Sequence, residues 1–164
     1  MTAILNSKLI NHYHKYRFLD LEKDLFQKIL IASCKKFPIK KPTLIQQQPF
    51  VKKTNVMLGL NEELQKLIFS LLNFLQNRFS LEKTTKKLEA WHELSYQEFL
   101  AEIKKQNKKI TLTEEKELGD LFLAEQLKAT NLVNQIEATD QKIDAMVYQL
   151  YELTEEEINL VEQG

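Results

Sequence analysis

Apolar residues at alternating spacings of three and four run through the last two thirds of the chain. Met57, Leu60, Leu64, Leu67, Leu71 and Phe74 form one such series, the spacing that holds a seam on one face of an α-helix. Ile68, Leu72, Leu75 and Phe79 make a second stripe beside it. A helix with two apolar stripes is expected to touch two neighbours. A later series runs Leu118, Phe122, Glu125, Ala129, Leu132, Ile136, Thr139, Ile143, Met146 and Leu150, broken in character by Glu125 and Thr139, with Ala129 merely small. It predicts a helix from about Thr113 to Tyr151, which at ~1.5 Å per residue is about 55 Å long. Leu64, Leu67, Leu71, Leu132, Ile136, Ile143, Met146 and Leu150 are the expected helix-interface residues. Two long seamed helices joined by a shorter helical region suggest an antiparallel hairpin; a parallel self-association also satisfies the spacing, and seam length alone does not choose between them. Only 3 Gly and 3 Pro in 164 residues leave too few tight turns for a β-barrel or sandwich.

The first third reads differently. Asn6 to Tyr16 predicts a helix with Leu9, Ile10 and Tyr13 on one face and Asn6 or Ser7 at its start. Arg17 to Lys28 reads as a polar connection. The short apolar run Ile29 to Ser33 is expected to be extended, by its length and flanks. Pro38, Pro42 and Pro49 oppose helix, so an organisational boundary is placed between Pro42 and Pro49, dividing residues 1–48 from 49–164. Beyond it, Ser80 opens a third helical stretch. Ser95 with Glu98 and Thr154 with Glu157 are capping boxes, and Thr111 to Thr113 provide a further cap.

The chain is formally neutral, but the neutrality hides a gradient. Residues 1–53 carry a net charge of +8, residues 54–110 of +2 and residues 111–164 of −10. A basic third of this kind suits phosphate contacts, which position a protein on DNA without reading its sequence. The DNA-contact candidates are Lys8, Lys15, Arg17, Lys35, Lys36, Lys40 and Lys41, with Lys52 and Lys53 beyond them; Tyr13 and Tyr16 interleave with the first group. The plainer alternative is solvated helix faces and attraction between the two oppositely charged ends.

Little else points to chemistry. Gly59, Gly119 and Gly164 stand alone, so no glycine-rich phosphate loop exists. A single cysteine, Cys34, excludes a disulfide framework and a cysteine-based zinc site. His12 and His14 are two apart on a helix and face different ways, so with His92 they make no metal set. Asp140 and Asp144 are four apart on a helix, as paired carboxylates that bind Mg²⁺ would be; a solvated flank or an interhelix salt bridge explains them more simply. Trp91 and Tyr96 read as packing anchors. No apolar run reaches the ~20 residues that span a bilayer, and no signal peptide opens the chain, so a cytoplasmic protein without cofactor, metal or membrane contact is expected.

Three stretches carry a resemblance. The first is Thr139-Asp140-Gln141-Lys142-Ile143-Asp144-Ala145-Met146-Val147-Tyr148-Gln149-Leu150-Tyr151-Glu152-Leu153-Thr154-Glu155-Glu156-Glu157-Ile158, followed by Val161-Glu162. It resembles the C-terminal phrase of type IIG-like restriction–modification proteins, which fuse a nuclease to an adenine methyltransferase. The second, Leu81 to Leu94 followed by Phe99-Leu100, is similar to the helical spacer of those proteins. The third comprises Leu5 to Ile10, Leu25 to Ile29 and Phe37-Pro38-Ile39, and resembles the tail of their TaqI-like C-terminal specificity domain. The resemblance covers nearly the whole chain, with the stretches in the family's order.

The resemblance implies a mainly α fold: a long-helix antiparallel coiled coil or helical hairpin, with a small α/β remnant of a target-recognition domain in residues 1–48. The family's Asn/Asp-Pro-Pro-Tyr/Phe methylation loop and its Pro-Asp…Asp/Glu-x-Lys nuclease motif are absent from the sequence, and Glu152 stands where the family's phrase has Gly. What is implied is therefore a non-catalytic fragment for DNA specificity and assembly. It would contact DNA through its basic third and an adenine methyltransferase or restriction subunit, or itself, through its helices. The alternative is a stand-alone helical interaction or regulatory protein without DNA binding.

Overall fold

The computed structural model describes residues 1–18, 31–106 and 109–163. The described residues are mainly helical and contain no strand. In chain order they form α1 (Thr2–Leu5), α2 (Lys8–Phe18), α3 (Ile31–Cys34), α4 (Leu44–Phe79), α5 (Lys86–Glu89), a 3-10 turn (Trp91–Glu93), α6 (Tyr96–Gln106), α7 (Leu112–Tyr151) and α8 (Glu155–Gln163). The two longest, α4 and α7, pack together.

The expected α/β remnant is not supported. Ile31–Cys34, the described part of the supposed strand, is a helical turn, and Ile29 and Leu30 lie outside the described residues. Local bonds close this turn: Lys35 N–H to Ile31 O at 3.1 Å, Lys36 N–H to Ser33 O at 2.9 Å and Phe37 N–H to Cys34 O at 3.2 Å. A strand needs a partner for its backbone groups, and a helical turn supplies its own. Most of the expected polar connection, from residue 19 to 28, also lies outside the described residues, as do the matching residues Leu25 to Ile29; Arg17 and Phe18 are the end of α2.

Pro49 does not delay the helix. Thr43 starts α4 with a capping box of its own: Thr43 N–H donates to Gln46 Oε1 at 2.9 Å, and Gln46 N–H donates to Thr43 Oγ1 at 3.3 Å. The helix then continues through Pro49, which costs it one backbone donor. The Ser95 and Thr154 boxes form as the spacing predicts, with Ser95 N–H on Glu98 at 2.9 Å and Thr154 N–H on Glu157 at 2.8 Å. Thr111 and Glu114 make another at the head of α7.

The chain divides into two units, residues 1–57 with 138–164, and residues 58–137. The second unit is built around Leu64, Ile68, Leu71, Leu72, Leu75 and Phe79 of α4 with Leu118, Phe122 and Ala129 of α7. Leu67, Leu132 and Ile136 pack half-buried against this core. The stripe Ile68, Leu72, Leu75, Phe79 is more deeply placed than the end of the first seam, where Phe74 is 45% exposed. Trp91, Phe99 and Ile103 are fully enclosed, and the rings of Phe99 and Phe122 stack 4.6 Å apart with Tyr96 beside Phe122 at 5.7 Å. Arg78 at the end of α4 meets Glu114 at the start of α7 at 3.3 Å.

The first unit is smaller. Ala3, Ile4 and Ile10 are buried with Ile143, Val147 and Leu150, and Leu9, Phe37, Ile39, Phe50, Met57 and Tyr151 pack around them. Residues more than 130 apart in sequence thus share one core. Met146 is half-buried.

Candidate functional site

The first unit brings the basic third of the sequence onto the acidic C-terminal phrase. At the start of α2, Ser7 is the cap: its Oγ donates to Ile4 O at 2.7 Å and accepts the Ile10 N–H at 3.4 Å. The adjacent Lys8 N–H is one of the donors a helix start leaves over. Asp144 of α7 takes it, with Oδ1 at 2.9 Å. The pairing of Asp140 and Asp144 therefore does not persist in space: Asp140 is exposed, while Asp144 is 2% exposed.

Charge is settled around this bond. Lys8 Nζ lies 2.5 Å from Glu162 Oε2 of α8, and the Tyr148 hydroxyl donates to Glu162 Oε1 at 2.7 Å. The Lys8 hydrogen bond, then that of Tyr148, holds the Glu162 carboxyl below the usual carboxylate range. Burial, and then the Glu162 hydrogen bond, pushes the Tyr148 hydroxyl far up. Burial also pushes the Asp144 carboxyl up, against the pull of the Lys8 N–H. A second tie joins the same two sequence ends. The Tyr151 hydroxyl donates to Pro38 O at 2.8 Å and accepts the Lys40 N–H at 2.9 Å, and Lys40 Nζ meets Glu152 at 2.7 Å.

These ties sort the seven DNA-contact candidates. Lys8 and Lys40 are engaged with acidic partners in the same unit. Lys35, Lys36 and Lys41 are exposed. Lys15 Nζ sits 5.4 Å from the Tyr16 ring and Arg17 lies 5.9 Å over the Phe18 ring. Phe18 packs on Phe37 at 6.0 Å, and Tyr13 and His14 meet Phe37 edge-on at 6.3 Å and 5.8 Å. Exposed Lys35 and Lys36 directly precede Phe37 in the chain, and the aromatic cluster of Tyr13, His14, Phe18 and Phe37 carries Arg17 over one of its rings. Beside it, Ala3, Ile4, Ile39, Phe50 and Val51 line a cleft of about 630 Å³, with Lys40 and Lys41 at its edge.

Sequence reasoning missed Glu162 and Tyr151 as partners of the basic segment. Spacing within one helix carries no signal for a contact more than 100 residues away; opposite net charges at the two ends were the only hint. Gln46 is occupied by the Thr43 cap. Among the described residues no group of His, Cys, Asp and Glu is arranged to hold a metal, and no helix is long and apolar enough to cross a membrane.

A family model for a domain of unknown function (DUF8810) matches residues 43–147, from the cap of α4 to the last turns of α7. No curated protein and no solved structure matches.

Proposed function

We propose, for a chain that belongs to the DUF8810 family, a non-catalytic role in DNA contact and assembly within a type IIG-like restriction–modification system. One observation carries the reading. The stretches that resemble the specificity-domain tail and the C-terminal phrase, far apart in sequence, meet residue by residue: Lys8 on Asp144 and Glu162, and Pro38 on Tyr151. A resemblance confined to amphipathic patterning would give no reason for those particular residues to pair.

In this reading, phosphate contact falls first to Arg17, Lys35, Lys36 and Lys41, because Lys8 and Lys40 are spent on Glu162 and Glu152. Assembly with an adenine methyltransferase subunit, or with a second copy, falls to the antiparallel helical hairpin of α4 and α7 and to the apolar cleft beside Lys41. Specificity in reading bases is carried by the partner or by residues outside the basic cluster. The chain supplies neither methyl transfer nor cleavage, since the sequence holds neither motif.

Binding of a fluorescein-labelled duplex followed by anisotropy at increasing salt tests the DNA part. Each phosphate contact contributes about −0.9 to the slope of log K against log salt, so four contacts give a slope of roughly −3 to −4. Lys35→Glu with Lys36→Glu should flatten it by about two contacts. No binding at low salt, or binding indifferent to salt, would overturn the DNA part. The second reading, a helical interaction protein without DNA affinity, is favoured by the internal neutralisation of Lys8 and Lys40 and would then stand.

A further inference from the structure

The geometry points to Asp144 as the positioning residue of the basic helix, a proton-dependent latch that holds the start of α2 from α7. Its place as the helper of a DNA-facing helix rests on the DNA-contact reading above; the latch itself does not.

The latch is assembled from three helices. Ser7 satisfies the Ile10 N–H, and Asp144 Oδ1 satisfies the Lys8 N–H. The second carboxylate oxygen, Oδ2, is buried and has no hydrogen-bond partner among the described residues. An ionised carboxylate in that position is costly, because one oxygen is removed from water with nothing in exchange. The charged and titratable groups around it are Asp140 and Tyr148 on its own helix, Lys8 on α2 and Glu162 on α8. Lys8 is the single cation of the set, and Glu162 already holds its ammonium at 2.5 Å. The start of α2 favours negative charge through its unpaired N–H groups, but Asp140 and Glu162 oppose it. A proton on Oδ2 removes the cost and leaves Oδ1 free to accept the Lys8 N–H. Capping survives protonation, and the buried charge does not.

Position makes the bond consequential. Asp144 acts on the first residue of α2, and Lys15 and Arg17 lie on its last turns. The bond spans 136 residues, and its loss leaves the start of α2 tied to α7 by the apolar contacts of Ile10 without a polar anchor.

The sign of the pH dependence follows from linkage. The folded protein holds the Asp144 proton more tightly than the unfolded chain does, so this contribution to stability is full below the ordinary value of 3.8 and is lost as pH rises through the raised one. Glu162 works the other way and only on the acid side of its ordinary value of 4.5. The Asn variant keeps every other titrating group, so the difference between its profile and the parent's isolates Asp144.

The test compares the full chain with Asp144→Asn and Asp144→Ala by urea unfolding from about pH 4 to 8, together with amide exchange of residues 8 to 12. Asn keeps the accepting oxygen and cannot ionise. Its pH profile should lack the fall that the parent shows, and its α2 amides should stay as protected as the parent's. Ala removes the acceptor, and protection at the start of α2 should drop on the order of tenfold. Should the Ala variant fail to fold, the ¹³C carboxyl titration of Asp144 in the parent decides alone: a midpoint above the ordinary carboxylate range supports the latch, and an ordinary midpoint overturns it. Parallel pH profiles for parent and Asn, or Ala protected like Asn, also overturn it. Anisotropy with the labelled duplex separates the two readings. Weaker DNA binding by Ala with rescue by Asn supports the positioning role. Undiminished binding by a folded Ala variant refutes that role. Absence of DNA binding in the parent refutes the DNA-contact reading, and the positioning role with it, while the latch stands on the exchange and pH data.

Discussion

Two glycines on long helices sit in opposite surroundings. A Cβ at Gly59 on α4 would meet nothing within 4 Å, whereas one at Gly119 on α7 would meet the Tyr96 ring at 3.3 to 3.6 Å. Alanine in a helix interior is favoured over glycine by about 1 kcal/mol. Gly59→Ala should therefore raise the free energy of unfolding, measured in urea, by close to that amount. Gly119→Ala should return less, because the Tyr96 ring must shift and its hydroxyl is bonded to Glu115 O. Equal gains at the two positions would refute the Tyr96 contact. Both glycines read alike in the sequence, as isolated residues inside a helical pattern; the neighbour that separates them comes from another helix.

Helix ends show the same division of labour. N-terminal caps are chemical and local, so Ser95 and Thr154 were identifiable from their partners three residues on. The C-terminal ends rely on backbone conformation instead. α4 ends at Ser80 with φ 50°, and α7 ends at Glu152 with φ 59°. In each case a six-residue loop closes: Leu81 N–H reaches Gln76 O at 3.3 Å and Leu153 N–H reaches Tyr148 O at 3.1 Å. This is the left-handed ending that glycine serves best. Glu152 therefore leaves the turn in place and adds strain to it. Left-handed geometry costs a residue with a side chain roughly 1 kcal/mol. Glu152→Gly should raise the midpoint despite losing the exposed Lys40 ion pair, since such pairs contribute little. Ser80→Gly should do the same. A loss of stability in the Glu152 variant would mean that the Lys40 contact outweighs the turn.

At the scale of the molecule, charge and topology act together. The +8 and −10 thirds do not face solvent independently; their residues interlock in the first unit through Lys8 with Glu162 and Lys40 with Glu152. Several carboxyls are held below the usual range by hydrogen bonds or cations: Glu98 by Ser95, Glu102 by Lys105, Glu114 by Thr111, Glu152 by Lys40 and Glu162 by Lys8. A carboxyl lowered on folding adds stability that is present above its ordinary value, 4.5 for these groups, and lost as pH falls through the lowered one. The urea midpoint should thus fall between about pH 4.5 and 3, even though Asp144 pulls in the opposite sense there. A midpoint that stays level would show that these hydrogen bonds persist equally in the unfolded chain.

The sequence by itself determined the helices, most of their caps and the apolar stripes. Hydrophobic period, cap chemistry and the scarcity of glycine and proline all act within a few residues of one another. The Thr113 to Tyr151 seam was accurate nearly position by position for this reason, including Thr139, which is polar yet buried. The start of α4 was not, because the preference of Pro49 against helix is weaker than the Thr43–Gln46 cap and the apolar face that follows. The strand at Ile29 to Ser33 was misjudged in its described part, because a strand depends on a neighbour that local pattern cannot supply. Only the tertiary structure decided that α1, α2 and the last turns of α7 share one core, that Asp144 is buried while Asp140 is exposed, and which of the seven cations are tied to carboxylates within the unit. Those outcomes depend on contacts between residues over a hundred positions apart, where burial and partner choice, rather than local preference, set the free energy.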